Sequence, residues 1–233
     1  ESHLLAAARK LQPFPNESDE DYFSRVNFEA RKDGMKAAQQ GTDAHAGIEA
    51  ILKGEPWDKS NPMLVNCARW FESHIEKPIW IEKCCLNHSL RLAGKCDALL
   101  QFKSTSPFNE ELQGRPVVVD FKTRRFKKFK SKPHWRAPKY KNDIRQVAFY
   151  ASTVESSSFP RGANLLINTT EQAPNDLFPE FRLYSRDEQF RALVSVAHLV
   201  AVWRHENDYS PIPKIIPPEE QSRMWGVGER MWG

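Results

Sequence analysis

A chain of 233 residues with 40% hydrophobic content is long enough to bury one substantial core, and a net charge of +4 is too small to mark the whole molecule as a nucleic-acid binder. No apolar run approaches the roughly 20 residues that cross a bilayer, and the opening ESHLLAAARK lacks the apolar centre of a secretory signal, so no membrane partner is expected. The expectation is a soluble, intracellular single domain over residues 1–233, with Glu1 in place of an initiator Met leaving an upstream transit peptide open. Charge is unevenly spread: the basic excess gathers in residues 122–141, whereas NESDEDYF near the start is acidic.

In chain order, residues 16–41 read as an exposed helix with Phe23, Val26 and Ala30 as a thin apolar stripe and Gly41 as its stop. Thr42 then caps a second helix, TDAHAGIEAILKG, which puts His45 and Glu49 one turn apart on one face. NPMLVNCARWFESHIE gives a third helix, completing a helical part over residues 1–76. The period then changes to that of strands: KPIWIEKCCL, LRLAGKCDALLQF and RPVVVDF, joined by a tight turn at Asn87-His88 and by the polar loop of residues 104–114. NDIRQVAFYASTVES returns to helical spacing with Asn142 or Asp143 as cap. GANLLINTT and LFPEFRLYS are strands, and DEQFRALVSVAHLVAVWRHEN is a long amphipathic helix before a Pro-rich tail, the last part covering residues 185–233. The order helix, three strands, helix, strand predicts an α/β fold with helices on both faces of a central sheet.

The four cysteines, Cys67, Cys84, Cys85 and Cys96, show no C-x-x-C spacing, and adjacent Cys84 and Cys85 would point to opposite faces of a strand. They read as reduced and mostly buried thiols. Chemistry is sought instead in PVVVDFK, an apolar run whose last residues turn charged. Such a strand is buried on both faces, and Asp120 near its end is costly there unless a cation or hydrogen bonds satisfy it. The plainer alternative is a sheet-end Asp paired with an Arg. In LAGKCDALL, Gly94 lets the backbone come close to something while Asp97 falls on an otherwise apolar strand. Antiparallel pairing through the 104–114 loop brings Asp97 close to Asp120, and a divalent ion would relieve the repulsion of two such carboxylates. Gln146 and Tyr150 share one helix face, which is otherwise just a solvated stripe, and His45 alone reads as readily as a surface histidine.

Taken in order, GTDAHAGIE, GKCDALL, VVVDFKT and QVAFYA resemble the motifs G-x-x-x-H, G-x-x-D, D-x-K and Q-x-x-x-Y of RecB-type exonucleases in the PD-(D/E)xK nuclease superfamily. Phage exonucleases, the mitochondrial genome maintenance exonuclease and CRISPR-associated spacer-processing nucleases are similar in this pattern. The resemblance covers residues 41–151 and implies a restriction-endonuclease-like αβββαβ core, about residues 41–170, with a mixed central sheet and extra N- and C-terminal helices. It implies Asp97, Asp120, the Phe121 carbonyl and His45 as metal ligands, with Lys122 polarising the attacking water. Gln146 and Tyr150 would support Lys122 and the scissile phosphate, and Glu49 and Glu82 would be outer or additional acidic groups. One or two Mg²⁺ or Mn²⁺ ions would serve phosphodiester hydrolysis. Iron–sulfur members carry three cysteines after Q-x-x-x-Y; no Cys follows Cys96 here, so no cluster is expected.

Between Lys122 and the Gln146 helix lies KTRRFKKFKSKPHWRAPKYK, whose position implies a border of the DNA cleft. Arg124, Arg125, Lys127, Lys128 and Lys130 are the expected phosphate contacts, and Phe126, Phe129, Trp135 and Tyr140 include candidates for stacking on unpaired bases, Trp135 foremost. No G-x-x-x-x-G-K-[ST] loop is present, so a motor would be a separate helicase, with a recombinase or single-strand annealing protein as other partners. The expected function is a metal-dependent exonuclease on linear DNA in recombination, repair or replication, of bacterial or phage type in cytoplasm or nucleoid, with the mitochondrial matrix as the alternative compartment. The competing function is a DNA-binding module that keeps the fold without turnover.

Overall fold

The computed structural model describes residues 10–128, 135–154, 159–170 and 173–209. The elements are α1 (Asp19–Lys53), α2 (Pro62–His74), β1 (Ile75–Asn87), β2 (Leu92–Phe102), α3 (Asn109–Leu112), β3 (Val117–Arg124), β4 (Lys127–Lys128), β5 (Trp135–Arg136), α4 (Lys141–Ala151), β6 (Arg161–Asn168), β7 (Glu180–Leu183) and α5 (Arg186–Glu206). Five strands form a mixed sheet in the order β1-β2-β3-β6-β7. Neighbours are antiparallel except β3 and β6, which run parallel because α4 carries the chain back between them. The α/β expectation of a mixed sheet flanked by helices therefore holds.

The expected break at Gly41 does not occur. A single helix of 35 residues runs from Asp19 to Lys53, capped by the Ser18 side chain at its start and ended by Gly54 at φ 72°. An interior glycine costs only about 1 kcal/mol relative to Ala. Burying Ala44 and Ile48 against the sheet one and two turns later outweighs that cost. Thr42 is no cap: its hydroxyl donates to the Ala38 carbonyl at 3.2 Å within the helix. The stripe on the first half is also narrower than its sequence suggests, since Val26 is buried but Phe23 is 61% exposed.

α2 begins as its sequence directs, with Asn61 accepting from the Met63 N–H and Pro62 in the first turn. It ends two residues earlier than expected, because β1 begins at Ile75, which already pairs with Phe102, and Glu76 falls at an irregularity before Lys77 pairs with Gln101. The 104–114 loop contains the short helix α3, and α4 starts after Tyr140, so neither Asn142 nor Asp143 caps it. Asp143 is engaged elsewhere, as described below.

One face of the sheet is covered by α1 and α2. Trp70 lies there among Phe71, Phe102 and Phe181, with ring centroids 5.5 to 6.1 Å apart. The other face is covered by α4, whose Phe149 and Tyr150 pack with Cys85, Cys96, Leu99 and Val118. All four cysteines are free thiols: Cys67 and Cys96 are buried, and in β1 the adjacent Cys84 and Cys85 are exposed and buried respectively, as strand alternation requires. None of the described helices is long and apolar enough to cross a membrane.

Candidate active site at the splayed end of β2 and β3

β2 and β3 pair through Leu100↔Val117, Leu99↔Val118 and Ala98↔Val119, and their pairing stops there. The next position in that register sets Asp97 opposite Asp120, the juxtaposition expected from the sequence. Instead of a ladder bond, the Asp97 side chain crosses the gap, and its Oδ2 accepts the Phe121 N–H at 2.6 Å. The strands separate at this point because a carboxylate occupies the place of a backbone acceptor. That leaves Asp97 Oδ1 facing His45 Nδ1 of α1 at 3.6 Å. This carboxylate raises the His45 imidazole above its ordinary value, against the opposing effect of burial.

The third acidic group comes from β1. Ile81↔Ala98 and Lys83↔Cys96 bracket Glu82 and set it across from Asp97. Glu82 has φ 54° in mid-strand, a left-handed conformation that costs a non-glycine residue about 1 kcal/mol or more. Donor atoms of His45, Glu82 and Asp97 all lie within 4.8 Å of one another. They line a cavity of about 430 Å³ together with Gly41, Thr42 and Glu49. Glu49 is bound to Lys53 at 2.5 Å, and Glu82 is bound to Lys95. Gly41 itself passes close to β3, since a Cβ there would meet Thr123 Oγ1 at 3.5 Å.

Asp120 is 1% exposed. Its Oδ2 lies 2.9 Å from Lys122 Nζ and accepts from Asn164 Nδ2 at 2.8 Å. Asn164 is in turn held by the Tyr184 hydroxyl, which donates to its Oδ1 at 2.7 Å. Burial pushes the Asp120 carboxyl up to about 7, with the Lys122 ammonium opposing and Asp97 adding to the rise. The partner of Asp120 is thus a lysine and an amide rather than an arginine. Sequence reasoning missed Asn164 and Tyr184. The legible signal was an Asn inside GANLLIN, where an otherwise apolar strand must satisfy a buried amide.

On α4, Gln146 Nε2 donates to the Tyr150 hydroxyl at 2.9 Å, so the two form one unit. Burial raises the Tyr150 phenol to about 12, keeping it a neutral donor. The close approach foreseen at Gly94 is to this ring, because a Cβ on Gly94 would sit 2.8 Å from Tyr150 Cε1.

The basic segment divides into anchors and free groups. Arg124 gives its guanidinium to Asp143 at 2.6 Å and to the Thr123 carbonyl at 2.9 Å, and stacks on Tyr140 at 4.9 Å. Phe126 is buried against Ala137 and Leu166, so it anchors the segment to the core. Arg125, Lys127 and Lys128 are exposed, and Trp135 is half-buried where it pairs with Lys128 in the β4–β5 ribbon. Arg124, Arg125 and Lys127 line a cavity of about 660 Å³ with Thr123 and Tyr140 beyond the end of β3. Phe129 and Lys130 lie outside the described residues. No protein-family model matches the chain, and no curated protein matches it either.

Proposed function

We propose that the chain is a metal-dependent deoxyribonuclease of the PD-(D/E)xK type, with a restriction-endonuclease-like core, that hydrolyses phosphodiester bonds of linear DNA. The observation that carries this reading is the gathering of Asp97, Asp120 and Lys122 where β2 and β3 part, with His45 and Glu82 converging on the same gap. Of the four sequence motifs, two lie on β2 and β3 where they part, one on α1 and one on α4.

The donor set suits a hard divalent cation. Two carboxylates and an imidazole lie within one ion's reach beside a nearly sealed Asp120, and a divalent ion would take over from Lys95 and His45 the neutralising of Glu82 and Asp97. Asp97, Glu82 and Asp120 would hold Mg²⁺ or Mn²⁺, one or two ions, with His45 beside them. When bound, such an ion lowers the pKa of a coordinated water and offsets charge developing on the phosphate.

The chain's own residues supply the rest. The Phe121 N–H occupies one oxygen of Asp97 and so turns the other outward. The Asn164–Tyr184 pair restrains Asp120 from the far side. Lys122, tethered to Asp120, reaches out of the strand end to donate to the attacking water. Gln146 and Tyr150 present donors towards the phosphate from α4. Strain at Glu82 fits a residue whose position is dictated by function. Exposed Arg125, Lys127 and Lys128 extend a positive track for the backbone, consistent with a role in recombination, repair or replication beside a separate helicase, recombinase or annealing protein.

The test is degradation of 5′- and 3′-labelled linear single- and double-stranded DNA, with closed circles as control, in Mg²⁺, Mn²⁺ and EDTA. Cleavage is expected with metal, absent in EDTA, and at least about 100-fold slower in Asp120→Ala. Native protein that binds DNA but never cuts it would instead be a binding module with this fold.

A further inference from the structure

Behind the Gln146–Tyr150 pair, away from the acidic gap, lies a second cavity of about 460 Å³ between α4, α5 and the start of β2. Its walls are mostly apolar and aromatic, formed by Leu92, Phe149, Leu199, Val200 and Trp203, with Tyr209 at the α5 end. Trp203 is 53% exposed and its ring lies 5.6 Å from that of Tyr209, so two aromatic faces stand open to solvent at one wall. Three arginines also line it: Arg91, Arg145 and Arg204. Among the described residues none of the three is paired with a carboxylate. Arg204 donates to the Leu90 carbonyl at 2.5 Å and Arg145 to the Asn142 amide at 3.0 Å. Arg124, by contrast, meets its cavity already neutralised by Asp143. An apolar chamber ringed by unneutralised cations is complementary to a ligand with a flat apolar body and an anionic backbone.

We infer that this cavity receives one unpaired base of a single DNA strand, the base against Trp203 and Phe149 and the flanking phosphates on Arg91, Arg145 and Arg204. Gln146 and Tyr150 line this cavity, and Tyr150 is close enough to Asp97 and Asp120 to feel both carboxylates, so a base seated here holds its strand at a set distance from Lys122. A duplex cannot enter without opening, because a paired base has no free face to offer. The inference rests on the nuclease reading and adds to it a requirement for a single-stranded nucleotide next to the bond that is cut.

Binding is measured in EDTA, without turnover, by fluorescence anisotropy of a labelled oligothymidylate on the full chain. Trp203→Ala is expected to weaken it about tenfold. The same oligonucleotide carrying abasic sites should bind native protein about as weakly. Arg145→Ala should lower the salt dependence, by about one unit of slope in log K against log salt. Circular dichroism establishes that each variant is folded, and Trp203→Phe, which keeps a ring, should recover most of the affinity. Equal affinity of native protein and folded Trp203→Ala, or of normal and abasic strands, overturns the inference while leaving the nuclease reading intact. Trp203-dependent binding by a protein that cuts no DNA with metal would sustain the cavity and sink the nuclease reading. Binding that emerges only after residues 210–233 are deleted would assign the cavity to that segment and overturn the inference for the intact chain.

Discussion

At the scale of single residues, Asp120 couples the candidate site to stability. Its carboxyl is raised by burial to about 7 from an ordinary value of 3.8, so the folded state holds that proton more tightly than the unfolded state. The stability this contributes is complete below about pH 4 and is lost as pH rises through about 7. His45, also raised, acts in the same direction above its ordinary 6.5. In EDTA the thermal midpoint is therefore expected to fall between pH 5 and pH 8, by something on the order of 5 °C. Asp120→Asn should abolish much of that fall, and Mg²⁺ should do the same for the native chain. A flat profile in EDTA would mean that the Asp120 carboxylate is already satisfied by Lys122 and Asn164 alone.

Among elements, the seat of α4 on the sheet decides where Gln146 and Tyr150 stand. Two glycines set it. Gly94 lies under Tyr150, and a Cβ on Gly162 of β6 would come 2.2 Å from Val147 Cγ1 of α4. Gly162→Ala must push the helix away or force Val147 off its rotamer, an overpacking that costs about 1–3 kcal/mol. The loss should register as a lower urea midpoint, and Val147→Ala in the same chain should restore part of it. Simple addition of the two single effects would refute direct contact as the cause. The long α1 works similarly from the other face. Its run through Gly41 without a break is what carries His45 from the helix to the strand gap.

For the whole molecule, the relevant quantity is where positive charge is left unpaired. Net charge is only +4, but Arg125, Lys127 and Lys128 stand exposed beside the strand gap. Arg124 is committed to Asp143. Replacing Arg125 and Lys127 by Ala should weaken binding to all DNA sequences alike, and lower the salt slope by about one unit for each. A salt titration of native and double-variant protein reads both effects. An unchanged slope would mean that phosphates are held elsewhere, for example by the arginines around the α5 cavity.

Much of this architecture was legible in the chain. The change from helical to strand period after residue 76, the apolar run of β3 and the turn chemistry around Asn87 are local properties, set by neighbours a few residues away. They suffice to order the elements and to predict that Asp97 and Asp120 meet. The break expected at Gly41 illustrates the limit: local propensity argues for a stop, and only burial of Ala44 and Ile48 against a sheet formed later in the chain overrides it. Asn164 and Tyr184 behind Asp120, and Asp143 on Arg124, are held by hydrogen bonds between residues 19 to 44 apart in sequence, and no local pattern encodes them or the positive φ of Glu82. Sequence by itself determined which residues carry charge and on which elements. Tertiary structure alone decided which of those charges neutralise each other and which remain free for a ligand, because that depends on where separate elements come to rest.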